Sequence, residues 1–149
     1  MIVDDQPHLQ ELFSQELITE GYNVASVSDA QSAKRYVEHS NPDLVLLDLY
    51  LRGFEGWDVL HDIKHDAPNI PVLILTAYDT YVNDSRVSQA DGYWVNSFIH
   101  LDDLKQKIAD VLKLKKKESQ HESYKDRRKM ISLTVSPFRV IRNSRGATI

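Results

Sequence analysis

Two short runs decide what this chain can fold into: Leu44-Val45-Leu46-Leu47 and Val72-Leu73-Ile74-Leu75. Each has the length of a strand and is apolar at every position. A strand covered on one face alternates apolar and polar residues, whereas a strand covered on both faces does not. Two such runs therefore require a sheet sandwiched between helices. Parallel strands joined by helical crossovers build that arrangement.

The first 112 residues supply the other pieces in alternation. Met1-Ile2-Val3 reads as the end of a strand. A helix follows with Asp5 as its N-cap and Pro7 near its first position, striped by Leu9, Leu12, Phe13, Leu17 and Ile18 and stopped by Gly21. Tyr22 to Val27 reads as a second strand. Ser28 and Gln31 have capping-box spacing ahead of a helix through Ala33, Tyr36 and Val37. Gly56 to Asp66 is helical, with Trp57, Val59, Leu60 and Ile63 as its buried side. Segment 79–90 reads as a weak helix, and Gly92-Tyr93-Trp94-Val95 as the fifth strand. Leu101, Leu104, Ile108, Val111 and Leu112 stripe a last helix. Five such units imply an α/β fold with a doubly wound parallel sheet, and its site belongs at the carboxyl ends of the strands.

Asp4, Asp5, Asp48 and Thr76 all fall at that edge. Two carboxylates about 4 Å apart repel by roughly 4 kcal/mol at an effective dielectric of about 20. Such a cluster calls for a hard divalent cation or a nearby Lys or Arg. The six histidines (8, 39, 61, 65, 100 and 121) show no ligand spacing. His61 and His65 are one helical turn apart, but no third ligand accompanies them.

Composition narrows the classes further. The chain has 149 residues and no cysteine, so disulfides, thiolate metal sites and cysteine nucleophiles are excluded. No apolar run approaches the roughly 20 residues of a membrane span and no leader opens the chain, so a cytoplasmic domain is expected. Charge is unevenly divided. Residues 1–112 carry 7 Lys/Arg against 19 Asp/Glu, and residues 113–149 carry 11 against 3. An acidic domain with a basic tail is the organisation to explain.

The ordered set Ile2-Val3-Asp4-Asp5, Asp43-Leu44-Val45-Leu46-Leu47-Asp48-Leu49 with Gly56, Leu75-Thr76-Ala77 and Gly92-Tyr93 before Ser97-Phe98 resembles the receiver domain of response regulators, of the CheY type. The resemblance covers about residues 1–117, with 118–149 left as a basic, flexible tail. It implies the flavodoxin-like strand order 2-1-3-4-5. It further implies two-component phosphorelay signalling, with Asp48 accepting a phosphoryl group from a histidine kinase or phosphotransfer protein. Mg²⁺ would be held by Asp5 directly, by Asp4 mostly through water, by Asp48 and by the backbone carbonyl of Tyr50. The Thr76 hydroxyl would bond a phosphoryl oxygen, and Tyr93 would swing inward as the switch aromatic. On this reading the protein is no turnover enzyme; it catalyses only its own phosphotransfer and dephosphorylation. The last two helices and fifth strand are the expected surface for an output protein or a second copy.

Four departures qualify that resemblance. Asn96 stands where the family has a lysine that pairs with the phosphoacceptor, which leaves a pseudo-receiver, a phosphorylation-independent interaction module, as the alternative. Arg52, in the loop after Asp48, is a weak candidate for the missing cation; a solvated surface arginine is the preferred reading. Tyr50 and Tyr78 stand at positions that in the family flank the path of the hydrolytic water, and two bulky rings there would prolong the phosphorylated state. The first strand is clipped, so the fold either tolerates a short strand or starts upstream. After the receiver there is no room for a winged-helix or catalytic output domain: Lys113 to Lys129 extends the last helix and frays, and Ile131 to Val135 is strand-like. Nucleic-acid binding by this tail is the weaker expectation, since it carries no recognition motif.

Overall fold

The computed structural model describes residues 1–51, 54–77, 81, 83–95 and 101–134, with backbone alone at 54–55, 124 and 126–134. Arg52, Tyr78, Asn96, Ser97, Phe98 and residues 135–149 lie outside the described residues. The chain divides into two units, Met1–Lys115 and Lys116–Ile149.

Five parallel strands form the sheet of the first unit: β1 (Ile2–Val3), β2 (Ser26–Val27), β3 (Val45–Asp48), β4 (Val72–Thr76) and β5 (Gly92–Val95). Their spatial order is β2-β1-β3-β4-β5, the 2-1-3-4-5 order of a flavodoxin-like sheet. The helices are α1 (Pro7–Thr19), α2 (Ala30–Ser40), α3 (Gly56–Asp66) and α4 (Leu101–Thr134). Alternate strand residues go to opposite faces. Val3, Val45, Leu47, Val72 and Ile74 pack with Ala33 and Val37 of α2 and with Val59, Leu60 and Ile63 of α3. Ile2, Leu46, Leu73 and Leu75 pack with Phe13 and Leu17 of α1 and with Leu104, Ile108 and Val111 of α4. This division is why the central strands had to be apolar throughout. Truncating one of these fully buried side chains, such as Leu47, to alanine costs about 2–5 kcal/mol.

Several local readings are corrected. Gln6, not Asp5, is the N-cap of α1, because Pro7 opens the helix and forces the residue before it into extended backbone. Asp29, not Ser28, caps α2: its carboxylate accepts from the Ser32 N–H and the Ser32 hydroxyl, each at 2.8 Å. The second strand is only Ser26–Val27, since β1 offers just Ile2 and Val3 to pair with. Where a helix was expected at 79–90, the residues described there are 3-10 at Tyr81 and at Ser85–Gln89, and the latter turn buries nothing. Ile131 to Thr134 continue α4 rather than forming a strand; β-branched residues become strand only where a neighbouring strand exists.

The stop at Gly21 is as read. Its φ of 88° is in the left-handed region, with Gly21 N–H on Ile18 O at 2.9 Å and Tyr22 N–H on Leu17 O at 3.1 Å. The short β1 is fully laddered. The Met1 amine donates to Leu44 O at 2.8 Å, and Met1 O accepts from Leu46 N–H at 2.8 Å. No helix among the described residues is long and apolar enough to cross a membrane.

Candidate metal and phosphoryl site

The carboxyl ends of β1, β3 and β4 meet at one edge, and three carboxylates meet there with them. Asp4, Asp5 and Asp48 each offer an oxygen within 4.8 Å of the others, the one such group of possible metal ligands among the described residues. Asp4 and Asp48 are 3% and 8% exposed, and Thr76, at the end of β4, is 1% exposed. Register fixes the relation between strands, because Asp48 pairs with Leu75 and Thr76 is the next residue on β4.

Each buried carboxylate is held by backbone. Asp4 Oδ1 accepts from Gln6 N–H at 2.7 Å, and Asp48 Oδ1 accepts from Tyr50 N–H at 3.1 Å. These bonds favour the ionised forms, but burial outweighs them. Desolvation pushes the Asp48 carboxyl up to about 6, and the neighbouring charges of Asp4 and Asp5 push the same way. Asp4 is also raised, first by desolvation and then by Asp5, against the Gln6 bond. Burial and mutual repulsion thus hold both the Asp4 and Asp48 carboxyls above their ordinary range. Hard oxygen donors converging at this spacing fit a Mg²⁺ ion.

Close packing places Asp48. A Cβ added to Gly56, at the start of α3, would lie 2.5 Å from Asp48 O and 2.5 Å from Leu49 Cα. Only glycine lets the helix approach the end of β3 so closely, and Gly56 N–H donates to Leu49 O at 3.0 Å. Sequence places Gly56 eight residues past Asp48 and at the head of a helix; the backbone atoms its Cβ would strike are set by the fold.

Two further features were not foreseen. The Gln10 amide donates to both Asp4 O and Val27 O, tying the ends of β1 and β2 to α1. Beside Asp48, a ribbon pairs Tyr50 with Glu55 and Leu51 with Phe54. The Tyr50 and Tyr81 hydroxyls share a short hydrogen bond. Tyr81 in turn meets Trp57 edge-on, with ring centroids 5.7 Å apart, and the Arg86 guanidinium lies 4.4 Å from the Trp57 ring centre. An aromatic group, buried at Trp57 and exposed at Tyr50, therefore links the segment after Asp48 to the segment after Thr76. Tyr93, in β5, packs half-buried against the α2–α3 core. His61 and His65 have ring centres 6.3 Å apart and belong to no metal-ligand cluster among the described residues.

The family model for the response regulator receiver domain matches residues 1–109. The chain belongs to that family. The chain is 42% identical over 79 residues, 53% of its length, to the probable transcriptional regulatory protein TcrX of Mycobacterium tuberculosis. It is 40% identical over 100 residues, 66% of its length, to the DNA-binding response regulator MtrA of Mycolicibacterium smegmatis. The chain spans well under half of these relatives, 34% and 43% of their lengths. Among solved structures it is similar to the response regulator protein TrrA of Thermotoga maritima in complex with Mg²⁺-BeF. The TM-score is 0.70 and the identity 33%, over 74% of this chain and 95% of that one.

Proposed function

We propose that this receiver accepts a phosphoryl group on Asp48 from a histidine kinase or phosphotransfer protein and signals through a protein surface biased by that modification. The observation that carries the reading is the convergence of Asp4, Asp5 and Asp48 within 4.8 Å, with Asp48 buried at a strand end. Asp48, in its carboxylate form, attacks phosphorus. An O–P bond forms, the P–N bond of a phosphohistidine breaks, and its electron pair returns to the imidazole of the donor. Asp4, Asp5, Asp48 and the backbone carbonyl of Tyr50 would hold Mg²⁺, which when bound neutralises charge on the transferring phosphoryl group. The Thr76 hydroxyl donates to a phosphoryl oxygen of modified Asp48, and Tyr93 moves against the core as that loop is drawn in. Support comes from TrrA, which has been solved with Mg²⁺-BeF and also in complex with the histidine kinase ThkA.

A second reading rests on Asn96, which is shorter than lysine and uncharged. On that reading the chain is a pseudo-receiver that binds its partner without phosphorylation. The two are separated by incubating the full chain with acetyl phosphate and Mg²⁺ and weighing it intact. A phosphate-sized gain that is absent from Asp48→Asn supports phosphotransfer. An unchanged mass in the parent leaves the pseudo-receiver reading.

A further inference from the structure

The second unit has a charge pattern that the phosphoacceptor reading does not use. Beyond Lys115, residues 116–123 and 125 of α4 are all exposed. The sequence there runs Lys116-Lys117-Glu118-Ser119-Gln120-His121-Glu122-Ser123-Tyr124-Lys125-Asp126-Arg127-Arg128-Lys129. At 3.6 residues per turn, Lys116, Lys117, Lys125, Arg127 and Arg128 take register positions within one half of the helix circumference, and no acidic residue shares it. Glu118, Glu122 and Asp126 follow each other at i, i+4 and fall in a strip about a quarter-turn wide on the other half, with Lys129 among them.

Neither composition nor helix stability explains this spacing. A helix meant only to be solvated gains from Glu and Lys at i, i+4, whereas like charges at that spacing destabilise it by a similar amount. Here the acids repeat at i, i+4, as do Lys125 and Lys129, and between 116 and 129 opposite charges meet only at i, i+3, as Glu122 with Lys125 and Asp126 with Lys129. The arrangement gains little for the isolated helix and separates the two signs of charge.

A cationic half-surface without an apolar partner face selects the ligand. An interfacial membrane helix needs a broad apolar side, and between 116 and 129 Tyr124 is the one large apolar or aromatic residue. The major groove of duplex RNA is too deep and narrow for an α-helix, whereas that of B-DNA, about 12 Å wide, admits one. We propose that the basic half of this helix binds the phosphates of duplex DNA, independently of base sequence, with the acidic strip turned to solvent. Residues 116 to 128 extend about 18 Å at 1.5 Å per residue, enough to run beside several consecutive phosphates.

The test titrates the full chain with a labelled 20-base-pair duplex of random sequence at rising NaCl. Four or five engaged phosphates give a log–log salt slope of about −3.6 to −4.5, hence a loss of more than about a hundredfold between 50 and 200 mM salt. The exchange variant Lys117→Glu, Glu118→Lys, Glu122→Lys, Lys125→Glu keeps composition, net charge and the arginines of residues 135–149 but mixes the two faces. It should bind at least tenfold more weakly with a shallower slope, while circular dichroism shows its helix content retained. Equal affinity of parent and exchange variant overturns the proposal, as does absence of binding by the parent. Stronger binding to phosphatidylserine vesicles than to DNA overturns it in favour of a membrane surface. None of these outcomes depends on phosphorylation of Asp48.

Discussion

The acidic pocket of the first unit and the basic helix of the second both gather like charges, under opposite conditions. In the pocket, Asp4 and Asp48 are nearly without solvent, and the Asp48 carboxyl is pushed up to about 6 by burial and then by its acidic neighbours. Along the helix, Lys116, Lys117 and Lys125 are exposed, and water and salt screen their mutual repulsion. Charge crowded under a packed fold alters the protein that holds it. Charge crowded on an exposed helix is nearly free for the protein and acts outward, on whatever approaches.

That contrast is open to attack, most forcefully at Gly56. Gly56→Ala pushes a Cβ into Asp48 O and Leu49 Cα, both backbone atoms that have no rotamer to escape into. We expect a loss of about 2–3 kcal/mol in denaturant unfolding, together with slower acetyl-phosphate labelling of Asp48. An unfolding midpoint unchanged from the parent would show that the end of β3 is not held by this contact.

Next in size is the electrostatic strain of the pocket itself. In chelator, a raised Asp48 carboxyl means that the folded state keeps a proton the unfolded state has lost. Stability should then fall as pH rises from about 4 to about 6 and stay low above that, by on the order of 1–3 kcal/mol in all. Asp48→Asn should flatten most of this slope, leaving the part due to the raised Asp4 carboxyl, and be the more stable protein at neutral pH without metal. Mg²⁺ should raise the melting temperature of the parent more than that of Asn96→Lys, which restores the lysine that the family resemblance pairs with the phosphoacceptor. Identical rises in the two proteins would show that Asn96 leaves no charge deficit for the metal to fill.

The smallest effect belongs to the helix. Lys117→Glu reverses an exposed charge and should shift unfolding free energy by no more than about 0.5 kcal/mol in a thermal melt. A loss comparable to that of Gly56→Ala would mean that this lysine is packed or paired within the fold, and the two regions would no longer differ in kind.

Much of the site was legible in advance because it rests on strand ends. Once Leu44 to Leu47 and Val72 to Leu75 had to be parallel neighbours, Asp48 and Thr76 had to share an edge, and β1 brought Asp4 and Asp5 beside them. What was misread was local competition. Asp4, Asp5 and Gln6 could all have served α1, and Pro7 decided in favour of Gln6. Ser28 and Asp29 were both good caps, and the chain used the one whose carboxylate reaches Ser32. Ile131 to Thr134 suited a strand by residue type but had no strand to join. Tyr81, Trp57 and Arg86 lie far enough apart in sequence that no periodicity links them.

The sequence by itself determined a five-stranded α/β receiver, the carboxyl edge that carries its aspartates, and the opposite charges of its two parts. These follow from patterns that repeat along the chain, since apolar period and strand-end position survive any detail of packing. Tertiary structure alone decided how deeply Asp4 and Asp48 are buried, why position 56 must be glycine, and that Tyr50 and Tyr81 meet. Those depend on distances between segments remote in sequence, and desolvation and steric contact exist only once the segments are packed together.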